Sequence, residues 1–179
     1  MAGVNPVELS DEQVRLRQAR PEDVEAVTAA CQDPETQRWI SAIPLPYTPD
    51  VAREWVCVTA PRERAEGKGM PTAIQADGAF VGSAGCHLVP GRLGPEVGYW
   101  IAPWARGRGY AAEAAHALAD WALGRGAPRV HLYADVRNTA SQAVARRAGF
   151  TPEGTVRSCL AYRDGTRGDA VLFGRLAGE

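Results

Sequence analysis

The sequence predicts a single α/β domain: a mixed, mostly antiparallel central sheet flanked by helices. Three observations carry this. Two β-rich runs, Thr72–Ala76 and Phe80–Val89, flank Asp77-Gly78, the dipeptide of a tight antiparallel hairpin. The aromatic and β-branched run Glu96–Ala102 suits a half-buried strand, and an Ala-rich run from Ala111 through Trp121 suits a helix. Their order gives β-α-α-β-β-β-α-β-α-β-β in one chain of 179 residues without an internal repeat or linker, which is one layered α/β structure.

Residues 1–13 are polar and acidic and read as a tail, with the domain over 14–179. From Val14 to Arg20, Val14, Leu16 and Gln18 alternate with Arg15, Arg17 and Ala19, a first strand with one charged face. Pro21-Glu22-Asp23 opens a helix, with Pro early and acids in the first turn. A rigid Pro44–Asp50 connection leads to a second helix through Trp55, Val56 and Thr59, and the charged stretch Arg62–Gly69 reads as an exposed loop. After the hairpin, Pro90–Gly94 is a turn into the Glu96 strand. The Ala-rich helix ends near Gly124-Arg125-Gly126, and Arg129–Val136 reads as a buried strand. Asn138–Ala148 is a short helix closed by Gly149. Strands near Thr155–Tyr162 and Ala170–Leu176, joined across Asp164-Gly165, finish the chain.

Bulk properties restrict the function classes. A net charge of −1 gives no reason to expect nucleic-acid binding, and no apolar run is long enough to span a bilayer. The first residues lack the apolar core of a signal peptide, so the expected location is the cytoplasm. Cys31, Cys57, Cys86 and Cys159 are scattered and the three histidines form no HxxxH or HExxH pattern, so neither a metal site nor a disulfide framework is expected. Cys86 and His87 are neighbours on a strand and point to opposite faces.

The chemistry concentrates after the Glu96 strand. The loop Pro103-Trp104-Ala105-Arg106-Gly107-Arg108-Gly109 holds no Ser, Thr, Asp or Asn to cap the helix that follows. An anion fills such a gap well: amides and the helix dipole favour phosphate, and the arginines add charge. One rival is a dinucleotide fingerprint, Gly107-x-Gly109-x-x-Ala112 with Asp135 as the ribose acid. Against it, four residues separate strand from glycines, and hairpins precede the motif where βα units are required.

The loop fits R-x-x-G-x-A at Arg106, Gly109 and Ala111. With Glu96-Val97-Gly98-Tyr99-Trp100, Asn138-x-x-Ser141, Arg146-Arg147-x-Gly149-Phe150, Glu153-Gly154, Asp164-Gly165 and Asp169, the chain from Val14 onward resembles the GCN5-related N-acetyltransferases (GNAT). The closer likeness is to the RimJ/RimL type, which acetylates ribosomal-protein N-termini. The resemblance implies acetyl-CoA or another acyl-CoA as donor and a primary amine as acceptor, with direct attack on the thioester. Its implied donor-binding residues are Trp100, Ile101, Ala102, Arg106, Gly107, Arg108, Gly109, Tyr110, Ala111, Asn138, Ser141 and Arg146. The family also implies a homodimer. A catalytically silent acyl-CoA-binding module is the alternative from a different class.

Each candidate has a plain structural role beside the functional one. Asn138 is a favoured helix N-cap. Ser141 shares a helix face with apolar Val144, Ala145 and Ala148, where its hydroxyl can bond back to the preceding turn. The resemblance makes Ser141 the proton donor to the leaving thiolate, because the tyrosine that many relatives carry further along this helix is Ala145 here. Glu96 opens its strand as a solvated acid, or serves as the general base as in histone-acetylating relatives. The glutamate that RimL-like proteins place before the final turn is absent from Ser158–Tyr162. Tyr99, Trp100 and Trp104 read as lining the acceptor site or packing the core, with core packing the first reading for the two tryptophans, and Asp169 as an amine ligand or a turn holder.

Overall fold

The computed structural model describes residues 8–10, 13–88, 91 and 93–179. Its centre is an eight-stranded sheet. The strands are β1 (Leu9–Ser10), β2 (Arg15–Arg17), β3 (Gly69–Ala76), β4 (Ala79–His87), β5 (Glu96–Ile101), β6 (Arg129–Asp135), β7 (Thr151–Ala161) and β8 (Arg167–Leu176). They lie in the order β1-β2-β3-β4-β5-β6-β8-β7. Every pairing is antiparallel except β5 with β6, which run parallel and meet in register only at Glu96 and His131. Past that point the ladder stops and the sheet opens.

The expected hairpin forms with Asp77 and Gly78 both at positive φ, 50° and 80°, the twist a tight two-residue turn requires. Leu9–Ser10, inside the expected tail, adds an edge strand to β2. Val89, Pro90 and Arg92, parts of the expected strand and turn, lie outside the described residues.

Two layers of helix cover the sheet. On one face sit α5 (Tyr110–Gly124) and α6 (Thr139–Arg147). Helix α5 is built from alanine, the best helix former, and buries Ala112, Ala114, Ala115, Leu118, Ala119, Trp121 and Ala122 against Val97, Val130, Leu132 and Phe173. Small side chains let this helix lie close to the strands. On the other face, α1 (Val24–Gln32), α2 (Pro34–Trp39), α3 (Pro49–Glu54) and α4 (Ala60–Ala65) enclose Val27, Cys31, Ile43, Tyr47, Ala52, Val56, Ala73 and Phe80.

The structure corrects several expectations. The first strand's charged face is partly internal: Arg17 is buried and forks onto Asp23, Nη1 to Oδ2 at 2.7 Å and Nη2 to Oδ1 at 2.8 Å. The second helix is interrupted by a π turn over Trp55–Thr59, where Ala60 N–H reaches back five residues to the Trp55 carbonyl. Pro61 accounts for this, since its ring clashes with the carbonyl four residues earlier in a regular α-helix. Helix then continues through residues read as loop. Arg64 is buried there, donating to the Pro71 carbonyl (2.9 Å) and Gln18 Oε1 (3.0 Å). Helix α2 was not anticipated. Asp33 caps it by accepting from Thr36 N–H at 2.9 Å, and Pro34 begins it, but six residues are too few to show a helical period.

Candidate active site

Because β5 and β6 part after Glu96, side chains from both faces meet in the opening. Two cavities adjoin there. One, of about 520 Å³, lies beside the start of α5 and α6 and is lined by the loop from Ala105 to Gly109. The other, of about 780 Å³, lies on the opposite face, among α1–α4, β4–β6 and the β7–β8 turn. Trp39, Ile40, Tyr99, Trp100, Asn138 and Ser141 line both. That shared ring is where two molecules entering from opposite faces can touch.

The smaller cavity has the form of an anion cradle. Gly107 and Gly109 adopt φ of 78° and 90°, and Gly109 is the left-handed residue before α5. Among the described residues no side chain caps that helix, so its first amides and its dipole are available to a phosphate. A Cβ on Gly109 would stand 3.3 Å from Arg147 Nη2, so the missing side chain gives the guanidinium its place at the helix end. These residues fit a pyrophosphate-bearing donor.

Of the expected donor-binding residues, Trp100, Ile101, Arg106, Gly107, Arg108, Gly109, Tyr110, Ala111, Asn138 and Ser141 line this cavity. Two do not. Ala102 is fully buried and gives its N–H to the Val81 carbonyl at 2.9 Å, joining the loop to the sheet. Arg146 leaves on the other side of α6 and stacks on Phe173 at 5.4 Å, whereas its neighbour Arg147 lines the cavity. One residue is a rotation of about 100° on a helix, enough to exchange the two arginines. Arg106 has work of its own: Nη2 donates to Asp33 Oδ2 (2.6 Å) and Thr36 Oγ1 (2.8 Å), tying the loop to α2.

Asn138 is the N-cap of α6, its Oδ1 accepting from Ser141 N–H at 2.9 Å. The cap leaves the amide NH₂ group unused for a ligand. Ser141 Oγ lies 3.1 Å from Tyr99 Oη, which also reaches the Ser141 carbonyl at 3.2 Å. Burial pushes the Tyr99 phenol up to about 12, with the Ser141 bond opposing it, so Tyr99 keeps its proton. Sequence reasoning placed Tyr99 only among possible acceptor-site residues. Its pairing with Ser141 joins residues 42 positions apart, which no local pattern shows.

Glu96 lines the larger cavity with its side chain 41% exposed, a carboxylate open to an incoming amine or water. Around it are aromatic walls from Trp39, Tyr47, Trp55, Trp100, Tyr133 and Tyr162. Trp100 also packs on Phe80, with ring centroids 5.9 Å apart, while Trp104 is 47% exposed and packs no core. Cys86 is buried and His87, exposed, lines this cavity.

Asp135 is no ribose ligand. It is buried and held by Arg137 through Nε and Nη2, both at 3.1 Å, and by the Tyr162 hydroxyl. Burial raises its carboxyl pKa, but the Arg137 and Tyr162 bonds outweigh this and leave it below the usual range. Arg137 in turn stacks on Tyr162 at 4.6 Å. Arg163 donates to the carbonyls of Ile40 (2.8 Å) and Ile43, fastening the β7–β8 turn to the segment after α2. Asp169 holds the hairpin: its Oδ1 accepts from the N–H of Ser158, whose φ is 54°.

A loop that cradles an anion, and two cavities that meet in a splayed parallel pair, define a transferase acting between a phosphate-bearing donor and a separate acceptor. Residues 13–151 match the family model described as Acetyltransferase (GNAT) domain, and the chain belongs to that family of acetyltransferases. It is 29% identical over 173 residues to "Putative ribosomal N-acetyltransferase YdaF" of Bacillus subtilis, covering 94% of each chain. The Mycobacterium smegmatis RimJ structure in complex with CoA-disulfide superposes with a TM-score of 0.82 at 25% identity, covering 99% of this chain and 90% of that one. A Salmonella typhimurium acetyltransferase that modifies the N-terminal serine of ribosomal protein L7/L12 shares the fold, with a TM-score of 0.80 at 22% identity over 95% and 99% of the chains. Among the described residues no helix is long and apolar enough to cross a membrane.

Proposed function

We propose that the protein is a cytoplasmic acetyl-CoA-dependent N-acetyltransferase whose acceptor is a primary amine, foremost the N-terminal α-amine of a protein. The observation that carries this reading is the shared ring of Tyr99, Trp100, Asn138 and Ser141, where the cradle-side cavity opens into the Glu96-side cavity. The donor supplies an acetyl thioester, an acyl group already activated for attack. The amides from Gly107 to Ala111, with Arg108 and Arg147, hold its phosphates, and the Asn138 amide orients it along β5. Glu96 takes the proton from the attacking amine, directly or through a water. Ser141 Oγ, beside the Tyr99 hydroxyl, returns a proton to the departing sulfur.

The weak base favours an α-amine. At pH 7 an amine with a pKa near 8 loses its proton at a cost of about 1.4 kcal/mol, whereas a lysine costs roughly 4.6 kcal/mol. A half-exposed carboxylate suits the smaller task. The names of the relatives support the same reading: YdaF as a ribosomal N-acetyltransferase, the Salmonella enzyme as one that modifies an N-terminal serine.

The test is release of free CoA thiol with acetyl-CoA and a panel of acceptors: peptides beginning with Ser, Ala or Met, peptides with one internal lysine and a blocked N-terminus, polyamines and aminoglycosides. Mass spectrometry locates the acetyl group. Turnover on free N-termini well above that on blocked lysine peptides is expected. Turnover confined to small-molecule amines would overturn the N-terminal assignment.

A further inference from the structure

Where β5 and β6 make their single in-register pairing, Glu96 lies opposite His131. The two side chains share one face of the sheet. That of His131 is 4% exposed, and its Nε2 stands 3.7 Å from Glu96 Oε2. Its Nδ1 is buried with no hydrogen-bond partner among the described residues. Tyr133 meets the imidazole edge-on, with centroids 5.4 Å apart and planes at 85°.

The tautomer follows from these contacts. A neutral imidazole carries one N–H and one bare nitrogen. A proton on Nδ1 would bury a donor without an acceptor and turn the Nε2 lone pair toward a carboxylate, both unfavourable. A proton on Nε2 aims the donor at Glu96 and leaves Nδ1 as the bare nitrogen. An aliphatic side chain would fill the same space with no orphaned nitrogen, so packing alone does not account for histidine here.

We propose that His131 is a positioning residue for Glu96: its Nε2–H holds the carboxylate turned toward the incoming amine. This rests on the reading of Glu96 as the proton acceptor. The 3.7 Å separation is longer than a hydrogen bond, as contacts in ligand-free active sites commonly are before they tighten around substrate. Other charged or titratable groups face the same spot. They are His87, the cross-strand partner on β4; Tyr133 and Arg129 on β6; Cys159 on β7; and Glu54 and Glu63 across the cavity.

A hydrogen bond to the ionised form lowers a carboxyl pKa, so losing it moves the acid limb of activity to higher pH. Two measurements on the full chain test this. Nitrogen NMR of His131 is expected to show the Nε2–H tautomer, and the pH–rate profile an acid limb moved to higher pH in His131→Leu. In kinetics with acetyl-CoA and a serine-initial peptide, His131→Leu is expected to lower kcat about ten-fold, a fraction of what a general base supplies. Acetyl-CoA binding and melting temperature are expected to hold, and His131→Asn to restore the acid limb. An Nδ1–H tautomer, or an acid limb unmoved in His131→Leu, overturns the proposal, as does a rate loss that merely tracks lost stability. Glu96→Gln at full rate removes the reading of Glu96 itself, and the role of His131 with it; a dead Glu96→Gln beside a fully active His131→Leu removes only the latter.

Discussion

The hydroxyls of Tyr99 and Ser141 lie 3.1 Å apart, one from a strand and one from the helix packed over it, at the point both cavities share. Ala145, one turn further along the helix, is fully buried and lines neither cavity. Because burial keeps the Tyr99 phenol protonated, Tyr99 can turn its proton from the Ser141 carbonyl to Ser141 Oγ as the serine proton passes to the departing sulfur. Ser141→Ala is expected to lower kcat by about a hundredfold, the lower end of what a positioned acid supplies. Tyr99→Phe is expected to act in the same direction with a smaller loss. Acetyl-CoA affinity, measured by calorimetry, is expected to change little in either. Full activity in both variants would show that the thiolate leaves without protein help.

The Arg17–Asp23 pair sets an acid limit on stability. Burial pushes the Asp23 carboxyl up, but the Arg17 fork and the Arg20 N–H, 2.8 Å from Oδ2, win, and its pKa is depressed in the folded chain. A depressed carboxyl pKa stabilises the fold above the unfolded value, near 3.9, and that contribution is lost as pH falls through the folded value. Asp23→Asn removes one partner and leaves a buried guanidinium, a loss of about 3–5 kcal/mol. Chemical denaturation at pH 7 checks this. At pH 3 the difference between variant and wild type is expected to shrink.

Local chemistry was legible in the sequence; remote pairing was not. Asp77-Gly78 and the uncapped start of α5 depend on residues adjacent in the chain, and both stand as expected. Arg17 and Arg64 read as surface charges because their buried partners, Asp23 and the Pro71 carbonyl, are visible only once the strands and helices are packed. Arg146 is the arginine the sequence reading assigns to the donor, but the phase of α6 against β8 decides which of the two faces the cradle, and that is Arg147. The Trp39 and Ile40 contributions to both cavities depended on α2, too short to show a period.

Gly168 keeps room for Tyr162. A Cβ there would overlap the Tyr162 phenol, so Gly168→Ala is expected to drive the ring away from Asp135. Asp135 and Arg137 would remain paired, but the wall of the larger cavity would lose its aromatic face. The expected result is a raised KM for the amine, with acetyl-CoA binding unchanged. Tyr162→Phe, which removes the hydroxyl and keeps the ring, is expected to show a weaker form of the same effect. An unchanged KM for the amine in Gly168→Ala would place the acceptor elsewhere.

Arg147 and Arg146 offer a paired comparison on one helix turn. Arg147 brings its guanidinium to the Gly109 end of α5, so Arg147→Ala removes a charge-assisted contact to the donor's phosphates. A charge-assisted hydrogen bond contributes about 1.5–3 kcal/mol, which predicts a roughly ten- to hundredfold loss of acetyl-CoA affinity. The loss is expected to grow smaller as salt screens the phosphates. Arg146 stacks on Phe173 instead, and Arg146→Ala is expected to leave acetyl-CoA affinity unchanged while lowering stability by about 1 kcal/mol or less. Titration calorimetry at two salt concentrations reads both variants. Equal losses in the two would mean that the arginines act only through net charge and that α6 presents neither to the donor specifically.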